Sequence, residues 1–137
     1  MKRVEIFTRG LSKGNPGPAA IAAQITDETG AVMYELSEAI GNATDTYAEY
    51  FAVIKALQAA QELFPDQSDI IVELRLTDQS VKMQLNNEEV ITNPGLVPFF
   101  IEIHNLRVAH FPRLIITHVR RKRNVAVDHL VNTLLDV

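Results

Sequence analysis

The chain contains 137 residues, of which 47% are hydrophobic and 22% are charged, a composition typical of a globular domain that buries a core. It contains no cysteine, which excludes disulfides, thiolate metal sites and cysteine nucleophiles. Its 13 basic and 17 acidic residues give a formal net charge of −4, which argues against a uniformly basic surface of the kind that binds phosphate backbones.

The charges are distributed unevenly along the chain. Residues 1–14 contain four basic side chains and one acidic one, residues 118–137 contain four and two, and residues 15–117 contain five and fourteen. Two basic ends therefore flank an acidic middle, so a nucleic-acid partner remains open.

No apolar run approaches the roughly 18 residues that cross a bilayer, and the N-terminus lacks an apolar signal segment. We expect one domain over residues 1–137, no membrane partner and a cytoplasmic location.

The first forty residues are typical of an antiparallel meander. Strands are predicted over residues 3–8, 19–26 and 31–39, because each segment is short and rich in β-branched or small apolar side chains. Residues 27–30 form a turn between the second and third strands, with Gly30 available for a positive φ. The first strand is expected to end at Arg9-Gly10 and to run into a loop built on GNPGP (14–18).

The hydrophobic period then changes from two to between three and four. Residues 47–64 are predicted to form an amphipathic helix, with Asp45 or Thr46 as its N-cap and Pro65-Asp66 at its end. A fourth strand over 70–76, a short helix over 79–85, a helix marked by apolar residues from 96 to 106, a fifth strand over 114–119 and a last helix over 125–135 follow. Helical connections between strands imply parallel pairing, so the fold class is α/β with a mixed sheet.

Ligand sites in such sheets lie beyond the carboxyl ends of the parallel strands. Arg9 and Asp78 follow the first and fourth predicted strands, so both are expected at that edge.

Six motifs in chain order resemble type 1 ribonuclease H in its compact form, without a basic insertion after the first helix. They are FTRG (7–10), GNPGP (14–18), TDTYAEY (44–50), LTDQSV (76–81), NPGLVP (93–98) and HVRRKRNVAVD (118–128). The resemblance covers nearly the whole chain and implies a ribonuclease H-like fold, with a five-stranded mixed sheet of three antiparallel and two parallel strands flanked by helices.

The resemblance also implies an activity: hydrolysis of the RNA strand of RNA/DNA hybrids with two Mg²⁺ or Mn²⁺ ions. Clustered carboxylates suit such ions because Mg²⁺ prefers hard oxygen ligands. Matched to the family's motifs, the catalytic and metal-binding residues are Glu49, Asp78 and Asp128. The family's fourth carboxylate corresponds to Arg9 in this chain. We expect the Arg9 guanidinium to bond Asp78 or Asp128 in place of metal and to impair cleavage.

The same motifs imply a set of nucleic-acid contacts. The residues of this chain that match the family's nucleic-acid contacts are Gly14, Asn15, Thr46, Gln79, Ser80, Arg120, Arg121, Lys122, Arg123 and Asn124. Asp45 takes the place of a family asparagine, and Gln79 and Ser80 reverse the family's order. His118 matches a histidine at the end of the fifth strand, where a structural role is favoured over metal ligation.

Two functional classes follow. One is a metal-dependent endoribonuclease that binds RNA/DNA hybrids and is weakened at its metal site. The other is a catalytically inactive member that uses the same surface to bind nucleic acid or a protein. An engineered substitution at position 9 is a third explanation of Arg9.

Overall fold

The described part of the chain folds into one five-stranded sheet and four α-helices. The computed structural model describes residues 2–65 and 70–135, so the predicted helix end at Asp66 lies outside the described residues. The strands are β1 (Lys2–Ser12), β2 (Gly17–Thr26), β3 (Val32–Ala43), β4 (Ile70–Leu76) and β5 (Leu114–His118). The helices are α1 (Asp45–Leu63), α2 (Gln79–Leu85), α3 (Val97–His110) and α4 (Val125–Leu135), with short 3-10 turns at Pro94–Leu96 and Arg121–Arg123.

The five strands form one mixed sheet in the order β3-β2-β1-β4-β5. The pairs β1/β2 and β2/β3 are antiparallel, whereas β1/β4 and β4/β5 are parallel. This arrangement confirms the predicted fold class and the predicted element order. None of the described helices is long and apolar enough to cross a membrane.

β1 is longer than the sequence predicted. It continues through Arg9 and Gly10 to Ser12, because β2 pairs with it as far as Ser12 opposite Ala19. The parallel pairing with β4 ends earlier, at Phe7 opposite Arg75. The predicted strand end at Arg9-Gly10 was therefore too early, but β1 and β4 do separate there and open a cleft at the carboxyl edge.

The alternating side chains of β1 serve two different layers. Val4 and Ile6 lie in the core beneath α1, whereas Phe7 and Leu11 pack with the core residues of α4 on the opposite face. β2 contributes small buried residues to both layers, which lets the helices lie close to the sheet; these are Ala19, Ala20, Ala22 and Ala23. The helices α1 and α4 are thereby held near the end of β1.

The N-terminus of α1 also differs from the prediction. Its N-cap is Thr44, whose hydroxyl accepts from the Tyr47 amide at 3.1 Å, rather than Asp45 or Thr46. The Asp45 carboxylate instead accepts from the Ser12 amide at 2.7 Å, so it ties the helix start to the end of β1.

Gly10 permits the close approach of β1 to α1. A Cβ at this position would lie 2.2 Å from the Ala48 carbonyl carbon and 2.3 Å from the Glu49 nitrogen. Both neighbours are backbone atoms, so they cannot move without shifting the helix. The Gly10 amide also donates to the Glu49 carboxylate at 3.1 Å, so this contact sets the position of Glu49.

Gly10→Ala should lower the free energy of unfolding by at least about 3 kcal/mol, because the added methyl overpacks a fully ordered contact. Urea unfolding followed by circular dichroism measures this loss. The control is Gly30→Ala, where nothing lies within 4 Å but φ is +88°. Left-handed strain alone should cost that variant about 1 kcal/mol. Equal losses in the two variants would contradict the assigned packing role of Gly10.

Candidate functional site

A cavity of about 310 Å³ lies where β1, β4 and β5 end. It is large enough for a group of several heavy atoms, since a water molecule's share of liquid volume is about 30 Å³. The residues that line it come from these strand ends, from α1 and from the loop before α4. They are Arg9, Leu11, Asp45, Glu49, Thr77, Asp78, His118, Val119, Arg120 and Arg121.

Arg9 lines the cavity and is only 7% exposed. Its Nη1 donates to Glu49 Oε1 at 2.7 Å and to the Gly10 carbonyl at 2.9 Å, and its Nε donates to Asp128 Oδ1 at 3.1 Å. Burial lowers the pKa of Arg9, but the attraction to Glu49 and Asp128 outweighs that effect and raises it overall. The predicted bond to Asp128 is present, whereas the second carboxylate is Glu49 rather than Asp78.

Glu49 is fully buried in the first half of α1. Its Oε1 accepts from Arg9 and from the Gly10 amide, while its Oε2 has no hydrogen-bond partner among the described residues. Burial raises its pKa to about 7, because the loss of hydration outweighs the attraction to Arg9 and the bond from Gly10, and nearby Asp78 adds repulsion.

Asp78 and Asp128 have different surroundings. Asp78 is the N-cap of α2, and its carboxylate accepts from the Val81 amide at 3.1 Å. Asp128 lies in the first turn of α4, and its side chain is 26% exposed while it pairs with Arg9. Of the three carboxylates matched to the family's site, Asp78 alone has no bond to Arg9.

The residues present do not fit a pair of divalent metal ions. Within residues 2–65 and 70–135, no group of three or more His, Asp or Glu side chains is placed to hold a metal. Glu49 and Asp128 both direct an oxygen at the Arg9 guanidinium, which fills the space between them with a fixed positive charge. The site therefore contains an internal ion-pair cluster.

The basic loop before α4 is exposed from Arg120 to Arg123. Arg120 and Arg121 line the cavity, whereas Lys122 and Arg123 lie outside its lining. None of these four side chains forms an ion pair in the described part of the chain. Their charges remain available to an external anion.

Asn124 has a different role from the predicted contact with nucleic acid. Its side chain is 2% exposed, and its Nδ2 donates to the Thr8 carbonyl at 2.9 Å. It is therefore unavailable to a ligand, because it holds the basic loop against β1.

The glycine-containing loop is exposed at Gly14 and Asn15. Asn15 Oδ1 accepts from the Asp45 amide at 2.8 Å, so this side chain fixes the loop to the start of α1. Thr46 is half-buried on the first turn of that helix. None of these three residues lines the cavity.

Gln79 and Ser80 are exposed on the first turn of α2, also outside the cavity lining. The Ser80 hydroxyl donates to the Glu89 carboxylate, which also accepts from Gln84 Nε2 at 3.0 Å. The Ser80 hydroxyl is thus already engaged within the chain, while Gln79 stays open to solvent.

Five cavity residues were not predicted as site residues; they are Leu11, Asp45, Thr77, His118 and Val119. Asp45 was predicted as a possible N-cap and His118 was assigned a structural role, while the other three were not singled out. The signal that identifies Thr77, His118 and Val119 is their place at the carboxyl ends of the parallel strands β4 and β5.

Residues 7–134 match the family described as reverse transcriptase-like. Ribonuclease HI of Halobacterium salinarum is 37% identical over 98% of this chain and 65% of its own length. The bifunctional protein Rv2228c of Mycobacterium tuberculosis is 31% identical over 98% of this chain and 36% of its own length. The chain thus spans less than two thirds of the length of these curated relatives.

Solved structures of RNase H1 proteins are also similar to this chain, over nearly the full length of both proteins. LC11-RNase H1 in complex with an RNA/DNA hybrid aligns with a TM-score of 0.91 and 35% identity, over 95% of this chain and 94% of that one. RNase H1 from Halobacterium salinarum NRC-1 aligns with a TM-score of 0.89 and 36% identity, over 98% of both chains.

The raised pKa of Glu49 predicts a pH dependence of stability. An unfolded glutamate has a pKa of about 4.3, so between that value and about 7 the folded chain binds more protons than the unfolded chain. The contribution of Glu49 to stability should therefore be greatest at low pH and decline by about 3 kcal/mol as pH rises through 7.

Urea unfolding of the wild type and of Glu49→Gln between about pH 5 and pH 8 isolates this effect. As pH rises, the free energy of unfolding of the wild type should fall relative to that of Glu49→Gln. Glu62→Gln, at an exposed position of the same helix, is the matched control. A difference between wild type and Glu49→Gln that does not change with pH would refute the raised pKa.

Proposed function

The chain belongs to the type 1 ribonuclease H family, and on this premise we propose that it binds RNA/DNA hybrids with strongly impaired cleavage of the RNA strand. The proposal takes residues 1–137 as one ribonuclease H-like domain. The relative LC11-RNase H1 was crystallised with such a hybrid and superposes on nearly all of this chain. The exposed basic loop, which borders the cavity, supplies positive charge for the phosphate backbone.

The observation behind impaired cleavage is the pair of bonds from Arg9 to Glu49 and Asp128. Our sequence match places Arg9 where the family has a metal-binding Asp. A divalent ion about 5 Å from the guanidinium would be opposed by about 7 kcal/mol at an effective dielectric constant of 20. Two of the three carboxylates that would have to attract the ion, Glu49 and Asp128, already bond the guanidinium, so we assign no catalytic step to a bound metal.

The proposed hybrid contacts are divided between two groups. Arg120 and Arg121 on the cavity wall, with Lys122 and Arg123 beside them, would meet phosphates. The second group lies on the loop after β1 and on the first turns of α1 and α2; its members are Gly14, Asn15, Thr46, Gln79 and Ser80. Asn124 is left out of the proposal because it is buried.

Hybrid binding is tested by fluorescence anisotropy with an end-labelled RNA/DNA duplex at several salt concentrations. Affinity should fall steeply as salt rises, and Arg121→Ala should reduce the slope of log K against log salt by about 1, since one phosphate contact is lost. The control is Arg3→Gln, which removes an exposed charge at the opposite end of β1. No binding, or binding independent of salt, would contradict the proposal.

Cleavage is tested on the same labelled hybrid in Mg²⁺ and in Mn²⁺. The wild type should cleave at least about 100-fold more slowly than Arg9→Asp, since losing a direct metal ligand costs more than the 10–100-fold of an outer contact. Efficient cleavage by the wild type would refute the impaired site. If neither protein cleaves while both bind, the loss of activity extends beyond Arg9.

A further inference from the structure

One end of the Arg9 guanidinium makes no hydrogen bond to residues 2–65 or 70–135. Nε and Nη1 make all of its hydrogen bonds to the described residues, and Nη2 makes none. Nη2 is not among the side-chain atoms that are both buried and unpartnered. Since Arg9 lines the cavity and its Nε and Nη1 already donate to Asp128, Glu49 and the Gly10 carbonyl, the two Nη2 protons are the ones available to a ligand there.

Within the described part of the chain, two further guanidinium groups of the cavity wall have unused donors, from Arg120 and Arg121. The three carboxylates already accept hydrogen bonds: Asp45 from Ser12, Glu49 from Arg9 and Gly10, and Asp78 from Val81. By contrast, the Arg120 and Arg121 side chains have no acceptor in the described part of the chain. Arg120 and Arg121 therefore offer the cavity hydrogen-bond donors that no described residue uses.

The Arg9 guanidinium is also held rigidly. Three acceptors from three elements fix it: the Gly10 carbonyl of β1, the Glu49 carboxylate of α1 and the Asp128 carboxylate of α4. A fixed guanidinium loses little side-chain entropy when it donates to a ligand. Its planar N–H groups match the oxygens of a phosphate better than a mobile ammonium does.

We propose that Arg9 Nη2 donates to a phosphate oxygen of the bound strand, together with Arg120 or Arg121, so that hybrid binding at this cavity needs no divalent metal. This inference rests on the proposed hybrid binding and adds the chemical group that the cavity takes. A tethered guanidinium then holds the phosphate at the position where the family resemblance implies metal ions.

The decisive variant is Arg9→Met/Glu49→Gln. It removes the Nη2 donor together with the buried carboxylate that would otherwise lose its partner, and it leaves the net charge of the chain unchanged. Hybrid anisotropy is measured for this variant and the wild type in EDTA and in Mg²⁺ at matched ionic strength. Arg3→Gln serves as the unaffected control, and Arg121→Ala serves as a variant that loses one phosphate contact.

The wild type should bind the hybrid equally well in EDTA and in Mg²⁺. The double variant should bind about tenfold more weakly or worse, with a salt slope smaller by about 1. Wild-type affinity in the double variant, or wild-type binding that EDTA abolishes and Mg²⁺ restores, would overturn the inference while hybrid binding stands. A wild type that binds no hybrid in either buffer would refute the proposed function itself.

A second measurement uses only the wild type, in case the double variant fails to fold. Inorganic phosphate is titrated into ¹⁵N-labelled protein in EDTA, and the arginine side-chain Nε–H resonances are followed by NMR. The Arg9 resonance and the Gly10 amide should shift with saturation. An Arg9 resonance that stays fixed while those of Arg120 and Arg121 move would overturn the inference.

Discussion

The ion-pair cluster of Arg9 with Glu49 and Asp128 is the interaction on which the rest of the site depends. It joins the central strand to the helices on the two faces of the sheet, because Glu49 belongs to α1 and Asp128 to α4. A fully buried carboxylate without a partner would destabilise the fold by about 3–5 kcal/mol. Above about pH 7, where Glu49 is ionised, the Arg9 cation is therefore needed to stabilise it. Gly10 allows the close approach that brings Glu49 next to β1.

The cluster also connects stability to function. Carboxylates gathered at one sheet edge repel each other, and a cation between them relieves that repulsion whether it is a metal ion or a side chain. A side chain supplies charge without open coordination positions, so it can stabilise the fold and hold a phosphate but cannot activate water as a metal does. Under the proposed function, Arg9 therefore favours binding over hydrolysis. The exposed arginines of the loop before α4 extend the positive surface next to it.

The sequence was sufficient for the fold, because the switch from alternating to helical periodicity and the six motifs specify element order and sheet topology. The sequence was less informative about features that depend on contacts between residues far apart in the chain. β1 runs past Thr8 because β2 pairs with it, and Asn124 is buried because it donates to the Thr8 carbonyl. Both facts depend on partners that are far away in the chain, so local pattern could not reveal them.

The partners of Arg9 show the same limit. Charge alone allowed bonds to any nearby carboxylate, and Asp128 was among the expected partners. Glu49 rather than Asp78 is the second, because the approach of α1 at Gly10 places Glu49 next to β1 while Asp78 caps α2.

The most direct measurement of the ion-pair cluster is a crystal structure of the protein grown or soaked in Mn²⁺, with data collected for anomalous scattering. The expected map shows no manganese peak between Glu49, Asp78 and Asp128, with the Arg9 guanidinium still bonded to Glu49 and Asp128. A manganese peak at coordination distance from those carboxylates, with Arg9 displaced from them, would contradict the central claim.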